Sequence, residues 1–129
     1  MNWKNSSFRA SKEYVGFVYE ISEIDTGMIY IGIKKYWKTI KRKPLKGKKN
    51  RRISVVESDW KDYNSSSLLM QEKIAKDPSN YVKVIKRKCR TVTEMKAYEA
   101  YYQLRYYVSG EWGLIFNEVI NLRMRIRKE

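Results

Sequence analysis

Two short runs rich in β-branched and aromatic residues, joined by a turn signal, constrain this chain more than any other feature. Gly16-Phe17-Val18-Tyr19-Glu20-Ile21 is followed by Met28-Ile29-Tyr30-Ile31-Gly32, with Asp25-Thr26-Gly27 between them. Such runs separated by a glycine-containing turn predict a β-hairpin, from about Phe17 to Ile33. It places Tyr19 and Tyr30, eleven positions apart, on neighbouring strands. The chain has no histidine, so the commonest general base and metal ligand is missing.

The 129 residues suit one domain, 43% hydrophobic and long enough to bury a core. The formal charge of +14 is concentrated: eleven Lys or Arg and no acid lie between Lys34 and Arg52, five between Lys83 and Arg90, and four between Arg123 and Lys128. Clustered cations predict a polyanionic partner, because phosphates exchange condensed counterions for fixed protein charges. No apolar run approaches the ~20 residues needed to span a bilayer, and the N-terminus lacks the apolar core of a signal peptide, so no membrane partner is expected. The single cysteine, Cys89, excludes an internal disulfide and a multi-cysteine zinc site. It reads as a small buried residue ending a strand, and a cytoplasmic compartment is expected.

Residues 1–14 read as an irregular lead-in and 34–52 as a basic loop, with Pro44 and Gly47 as breakers. Arg52 to Val56 can form a strand. A helix capped among Ser65, Ser66 and Ser67 carries Leu68, Leu69, Met70 and Ile74, and ends at Asp77-Pro78-Ser79-Asn80. Tyr81 to Ile85 is the third core strand. Thr91-Val92-Thr93-Glu94 fits a capping box for a helix that stops at Ser109-Gly110. Leu122, Met124 and Ile126 alternate with Arg123, Arg125 and Arg127, which predicts a strand with a basic face. The order is an α+β layout, a small antiparallel sheet flanked by helices.

Glu99 stands out on helical geometry. Met95, Tyr98, Tyr102 and Tyr106 form an apolar stripe that contains it, with Ala97, Tyr101, Leu104 and Val108 as a second row. Lys96, Ala100, Gln103 and Tyr107 are left for solvent. A carboxylate on a packed face must be paired, protonated or metal-bound, since burying it bare costs roughly several kcal/mol. Geometry alone leaves a salt bridge and a metal ligand as alternatives. Glu94-Met95-Lys96 with Asp77 mimics the carboxylates and lysine of restriction-type nucleases, but Glu94 serves better in the cap and Asp77 in a turn.

The tyrosine pair, Glu99 and the later Asn117 together resemble the GIY-YIG nuclease family, most closely its phage Seg-type homing endonucleases. The block Glu57-Ser58-Asp59-Trp60-Lys61-Asp62-Tyr63, with Ser65-Ser66-Ser67 after it, carries the Seg-type part of the likeness, which runs from about Gly16 to Arg123. The resemblance implies that Tyr19 and Tyr30 are the motif tyrosines, Gly32 the motif glycine, Glu99 the ligand of one Mg²⁺ or Mn²⁺, and Asn117 the downstream asparagine. The first motif departs from the pattern, with its glycine, Gly16, one position early. The family's catalytic arginine usually follows the second motif on a helix. Here the basic stretch is longer, as in restriction-type relatives that carry the arginine further along, which favours Arg51 or Arg52 over Arg42.

The implied reaction is phosphodiester hydrolysis of DNA. The metal on Glu99 would neutralise the scissile phosphate and an arginine would share the transition-state charge. Tyr30 or Tyr19 would take the proton of water, which requires lowering a tyrosine pKa from ~10. Lys34, Lys35, Arg42, Lys48, Lys49, Arg123 and Arg125 are expected to contact nucleic acid. Sequence specificity would come from this fold, from a homodimer on DNA or from a partner. The rival reading is a non-catalytic nucleic-acid-binding module with the same basic surface.

Overall fold

The predicted hairpin forms the heart of a three-stranded antiparallel sheet. In the structure, a computed structural model that describes residues 3–4, 10–50 and 52–117, β1 (Gly16–Glu23) lies between β2 (Ile29–Lys35) and a later strand, Tyr81–Cys89. Because β1 is central and covered on both faces, it reads as an almost continuous apolar run rather than an alternating one. One face carries Phe17, Tyr19 and Ile21 into an aromatic cluster with Tyr36 and Trp60; the other carries Val18, Ile29 and Ile31. In the first cluster the Tyr36 and Trp60 rings meet edge to face at 5.0 Å, and Trp3 meets Phe17 at 5.2 Å. Each such pair adds about 0.5–1.5 kcal/mol beyond area burial.

The basic stretch is not the expected loop. Lys34 and Lys35 end β2, and β3 (Trp37–Arg42) pairs with β4 (Arg52–Glu57) in a separate hairpin running from Trp37↔Glu57 to Arg42↔Arg52. Thr39 facing Val55 and Ile40 facing Ser54, with Trp37 and Val56 on the same two strands, supply the β preference that the lysines obscure. Pro44 and Gly47 fall in the connection between these strands, so the breakers mark only its tip.

Ser67 caps α1 (Leu68–Lys76), its hydroxyl accepting from Met70 N–H. Met70 and Ile74 enter the core, whereas Leu68 and Leu69 are exposed. The strand Tyr81–Cys89 becomes β5 in chain order, and Thr91 accepts from Glu94 N–H to start α2 (Val92–Val108). Cys89 is fully buried at the end of β5, as expected. α2 packs on all three strands through Met95, Tyr98, Tyr102 and Tyr106. Its flanks differ from the expectation: Ala100 and Gln103 are buried, while Tyr101 and Val108 are exposed. Tyrosine stripes mislead here because a phenol ring can lie along a surface with its hydroxyl in water.

Both edges of the sheet are covered. Along β2, Ile115 bridges Ile29 in parallel and Phe116 N–H donates to the Ile29 carbonyl at 2.7 Å. Along β5, Trp3 bridges Lys83, Lys4 N–H donates to the Lys83 carbonyl, and the Trp3 indole donates to the Trp60 carbonyl. Trp3 is 3% exposed, so the first residues are not simply an irregular lead-in. The strand expected over Leu122–Arg127 lies outside the described residues.

Glu23 ends β1 as a buried carboxylate. It accepts from the Tyr81 hydroxyl at 2.6 Å and the Thr26 hydroxyl at 2.8 Å, with Lys73 of α1 at 3.7 Å. The Tyr81 and Thr26 hydrogen bonds hold its carboxyl below the usual range, and burial pushes the Tyr81 hydroxyl up to about 12. A depressed folded pKa gives stability that is present above the unfolded pKa and lost as pH falls through the folded one. Thermal melts should therefore be flat from neutrality down to pH of about 5 and drop below pH ~4, with a smaller drop in Glu23→Gln. Equal acid sensitivity in the two proteins would remove Glu23 from that transition.

Candidate active site

Hairpin register sets Tyr19 directly opposite Gly32. The Tyr19 ring and hydroxyl fill the space over Gly32 that a Cβ would need, so glycine is required there by close approach. Gly16 is equally constrained: a Cβ would run into the Lys34 carbonyl and come within 2.9 Å of Lys35 Cα. Shifted by one position in the motif, it still performs a close-packing task. Across from Tyr19 on the other side, the β1–β5 register slips between Val18↔Arg87 and Tyr19↔Ile85, leaving Lys86 as an extra residue on β5. Bulges of this kind re-aim side chains beside functional sites.

Period two puts Tyr30, Gly32 and Lys34 on one face of β2. The Tyr19 and Tyr30 rings lie 6.2 Å apart, and Tyr63 meets Tyr19 at 6.0 Å. Lys34 lays its ammonium 4.1 Å from the centre of the Tyr63 ring and pairs with Asp59 at 2.7 Å, which holds the Asp59 carboxyl below its usual range. Tyr19 is 1% exposed, and burial pushes its hydroxyl well above the ordinary phenol value despite a hydrogen bond from Ser65. As it stands, Tyr19 is a poor proton acceptor. Tyr30 is only half-buried.

Ser65 shapes this face although the sequence offered it only as a cap. It is buried at φ +94°, a conformation that L-residues seldom adopt. Its hydroxyl accepts from Ser67 N–H and its carbonyl from the Gln71 amide. Lys83, counted among the surface cations on sequence, is wholly buried beneath the same segment. The alternation Tyr81, Lys83, Ile85 was the signal available: it places Lys83 on the apolar face of β5.

Glu99 sits on α2, on the opposite side of the sheet from the tyrosine rings, and is half-buried. Among the described residues it has no ion pair or hydrogen bond, and burial raises its carboxyl above the usual range, with Lys96 opposing. One turn further, Gln103 is 3% exposed and its Oε1 has no hydrogen-bond partner among the described residues. Asn117 lies at the edge between the two faces: its amide oxygen accepts from Ile31 N–H at 3.0 Å and its NH₂ donates to the Ile31 carbonyl at 2.8 Å. Asn117 thus fixes the strand residue between Tyr30 and Gly32.

Arg52 and Arg42 face each other at the far end of the β3–β4 hairpin, donating to the Lys43 carbonyl and the Ser54 hydroxyl. Five residues separate them from the hairpin base at Trp37 and Glu57, roughly 17 Å along the strands. The structure does not bring Arg42 or Arg52 into the tyrosine cluster; the cations found there are Lys34 and the buried Lys83. Lys48 and Lys49 are exposed in the connection beyond β3. Arg51, Arg123 and Arg125 lie outside the described residues. At the end of β2 opens a cleft of about 640 Å³, with Lys34, Lys35, Lys38 and Lys96 around a floor of Ile33 and Met95. It joins the tyrosine face, through Lys34, to the α2 turn just before Glu99.

A paired-tyrosine hairpin closed over a glycine, on an antiparallel sheet whose following helix carries Glu99, a carboxylate unpaired among the described residues, is consistent with the fold of a GIY-YIG nuclease. The family model described as “Putative endonuclease segE, GIY-YIG domain” matches residues 2–112, which take in the whole sheet, both tyrosines and Glu99. The chain belongs to this family and is an endonuclease, a hydrolase of phosphodiester bonds. No curated protein and no solved structure matches it.

Proposed function

We propose that this chain is a divalent-metal-dependent DNA endonuclease of the phage homing type, acting in the host cytoplasm. The observation that carries the metal dependence is Glu99, a half-buried carboxylate without a partner among the described residues. Gln103 offers a second oxygen without a partner one turn away. An isolated carboxylate with a neighbouring amide oxygen fits a hard cation that completes its shell with water and substrate phosphate. Glu99, assisted by Gln103, would hold one Mg²⁺ or Mn²⁺. Such an ion supplies neutralisation of the scissile phosphate and of the leaving oxygen.

The remaining tasks fall to the chain's own groups. Because Tyr30 and Glu99 stand on opposite faces of the sheet, the scissile phosphate would have to lie at the β2 edge beside Asn117, where Tyr30, the less enclosed tyrosine, would take the proton of the attacking water. Tyr19 holds the hairpin geometry through its contact with Gly32. Lys34 leaves Asp59 for the phosphate and stabilises charge that develops there, the task assigned on sequence to Arg51 or Arg52. The lysines of the cleft grip the backbone on either side, and the cations of the β3–β4 hairpin extend that grip. A homodimer on DNA would present two such sites to the two strands.

Supercoiled plasmid incubated with the purified protein tests this reading. Nicked or linear product is expected with Mg²⁺ or Mn²⁺ and none with chelator. Retention of the plasmid in gel shifts without cutting under any divalent cation would leave a binding module instead.

A further inference from the structure

We propose that Lys83 is a positioning residue of the active site, which holds the Tyr63-Asn64-Ser65 segment against the Tyr19 ring. The inference rests on the endonuclease reading above. Lys83 projects from β5 on the tyrosine side of the sheet, opposite Ile21 and two residue pairs from the Tyr19↔Ile85 match. Its ammonium donates to the Tyr63 carbonyl at 2.7 Å and to Asn64 Oδ1 at 3.0 Å, and sits 4.4 Å from the centre of the Trp3 ring.

No carboxylate pairs with Lys83 among the described residues. Burial brings its pKa down to about 8, with Asp62 opposing, so the protein holds a charge where an apolar side chain would cost less. What that charge secures is a chain segment that packs on the reacting face through Tyr63. Tyr63 packs on Tyr19 and carries Lys34 over its ring. Ser65, buried in its left-handed conformation, continues this segment and closes on the Ser67 N–H and the Gln71 amide. Asn64 lies between them and is itself a Lys83 acceptor. A left-handed serine persists only where surrounding contacts enforce it, and the bonds to Tyr63 and Asn64 are part of that enforcement.

Lys83→Met keeps length and apolar stem while deleting the ammonium. The single-turnover cleavage rate at saturating DNA should fall at least tenfold. The Kd for the same DNA, measured with chelator, should stay within twofold, and the melting temperature should hold or rise. Amide exchange at Ser67 and Met70, whose N–H groups close on Ser65 and Ser67, should quicken. Asn64→Ala, which removes one acceptor, should show the same split with about a threefold rate loss. Should Lys83→Met fail to fold, Asn64→Ala decides. A rate within twofold of wild type in the folded Lys83→Met protein, or in Asn64→Ala if that variant must decide, makes Lys83 a core strut and overturns the proposal. Absence of cleavage by the wild-type protein would instead strike the endonuclease reading itself.

Discussion

Glu99→Gln is expected to abolish plasmid cleavage, with a loss well beyond tenfold, while DNA binding persists and the fold gains stability. The rate loss follows from the proposed role of Glu99 as metal ligand, since a metal's contribution to charge stabilisation is roughly several kcal/mol. The gain in stability follows from the sign of the titration. Burial raises the Glu99 carboxyl, so its contribution to folding is complete below the unfolded pKa and is lost as pH rises through the folded pKa. At neutral pH the ionised group is a burden that glutamine removes. Isothermal titration with Mn²⁺ should show binding to the wild-type protein, weakening on acidification as protons compete, and little binding to Glu99→Gln. A variant that cuts like wild type, or binds Mn²⁺ equally well, would take Glu99 out of the metal site.

Tyr30→Phe should depress the single-turnover rate by about 10²–10⁴, the usual span for loss of a general base, with little change in melting temperature. Its side chain is half-buried, whereas Tyr19 is 1% exposed. Tyr19→Phe should behave differently. Its phenol already resists ionisation, so removing the hydroxyl costs the packing over Gly32 more than it costs chemistry. A lowered melting temperature with a rate loss of only a few-fold is expected. If the two variants exchange these behaviours, Tyr19 is the proton acceptor and its environment must change when substrate arrives. If both retain full activity, the tyrosines are core residues and the mechanism fails.

Local rules made much of this legible. The turn between Tyr19 and Tyr30, the Ser67 cap, the Thr91 cap and β5 all depend on short-range chemistry, and each was found where expected. The errors share another origin: they concern which long-range partner a side chain meets. Lys83 sits in a cluster of five cations; its alternation with Tyr81 and Ile85 sets it apart from Lys86 and Arg87, but the 63–64 partners that accept from it are long-range. Gln103 looks like a solvent residue until packing buries it. The lysines of 34–52 concealed a hairpin because charge dominated a pattern whose β-formers alternate with them. For the cation at the site, order along the chain favoured an arginine, whereas strand alternation brings Lys34 beside the tyrosines.

The way the sheet ends has a bearing on how copies of this protein meet. With Trp3 along β5 and Ile115 along β2, the three-stranded sheet offers little backbone to a neighbouring molecule. The β3–β4 hairpin is the exception among the described residues, and with its connection it carries nine of the 28 Lys and Arg of the chain. Two such ribbons repel each other in dilute salt. A phosphate backbone lying between them would screen that repulsion, so any ribbon-to-ribbon association would depend on DNA being present. Free in solution, the same charges act as gatekeepers against self-templated strand stacking.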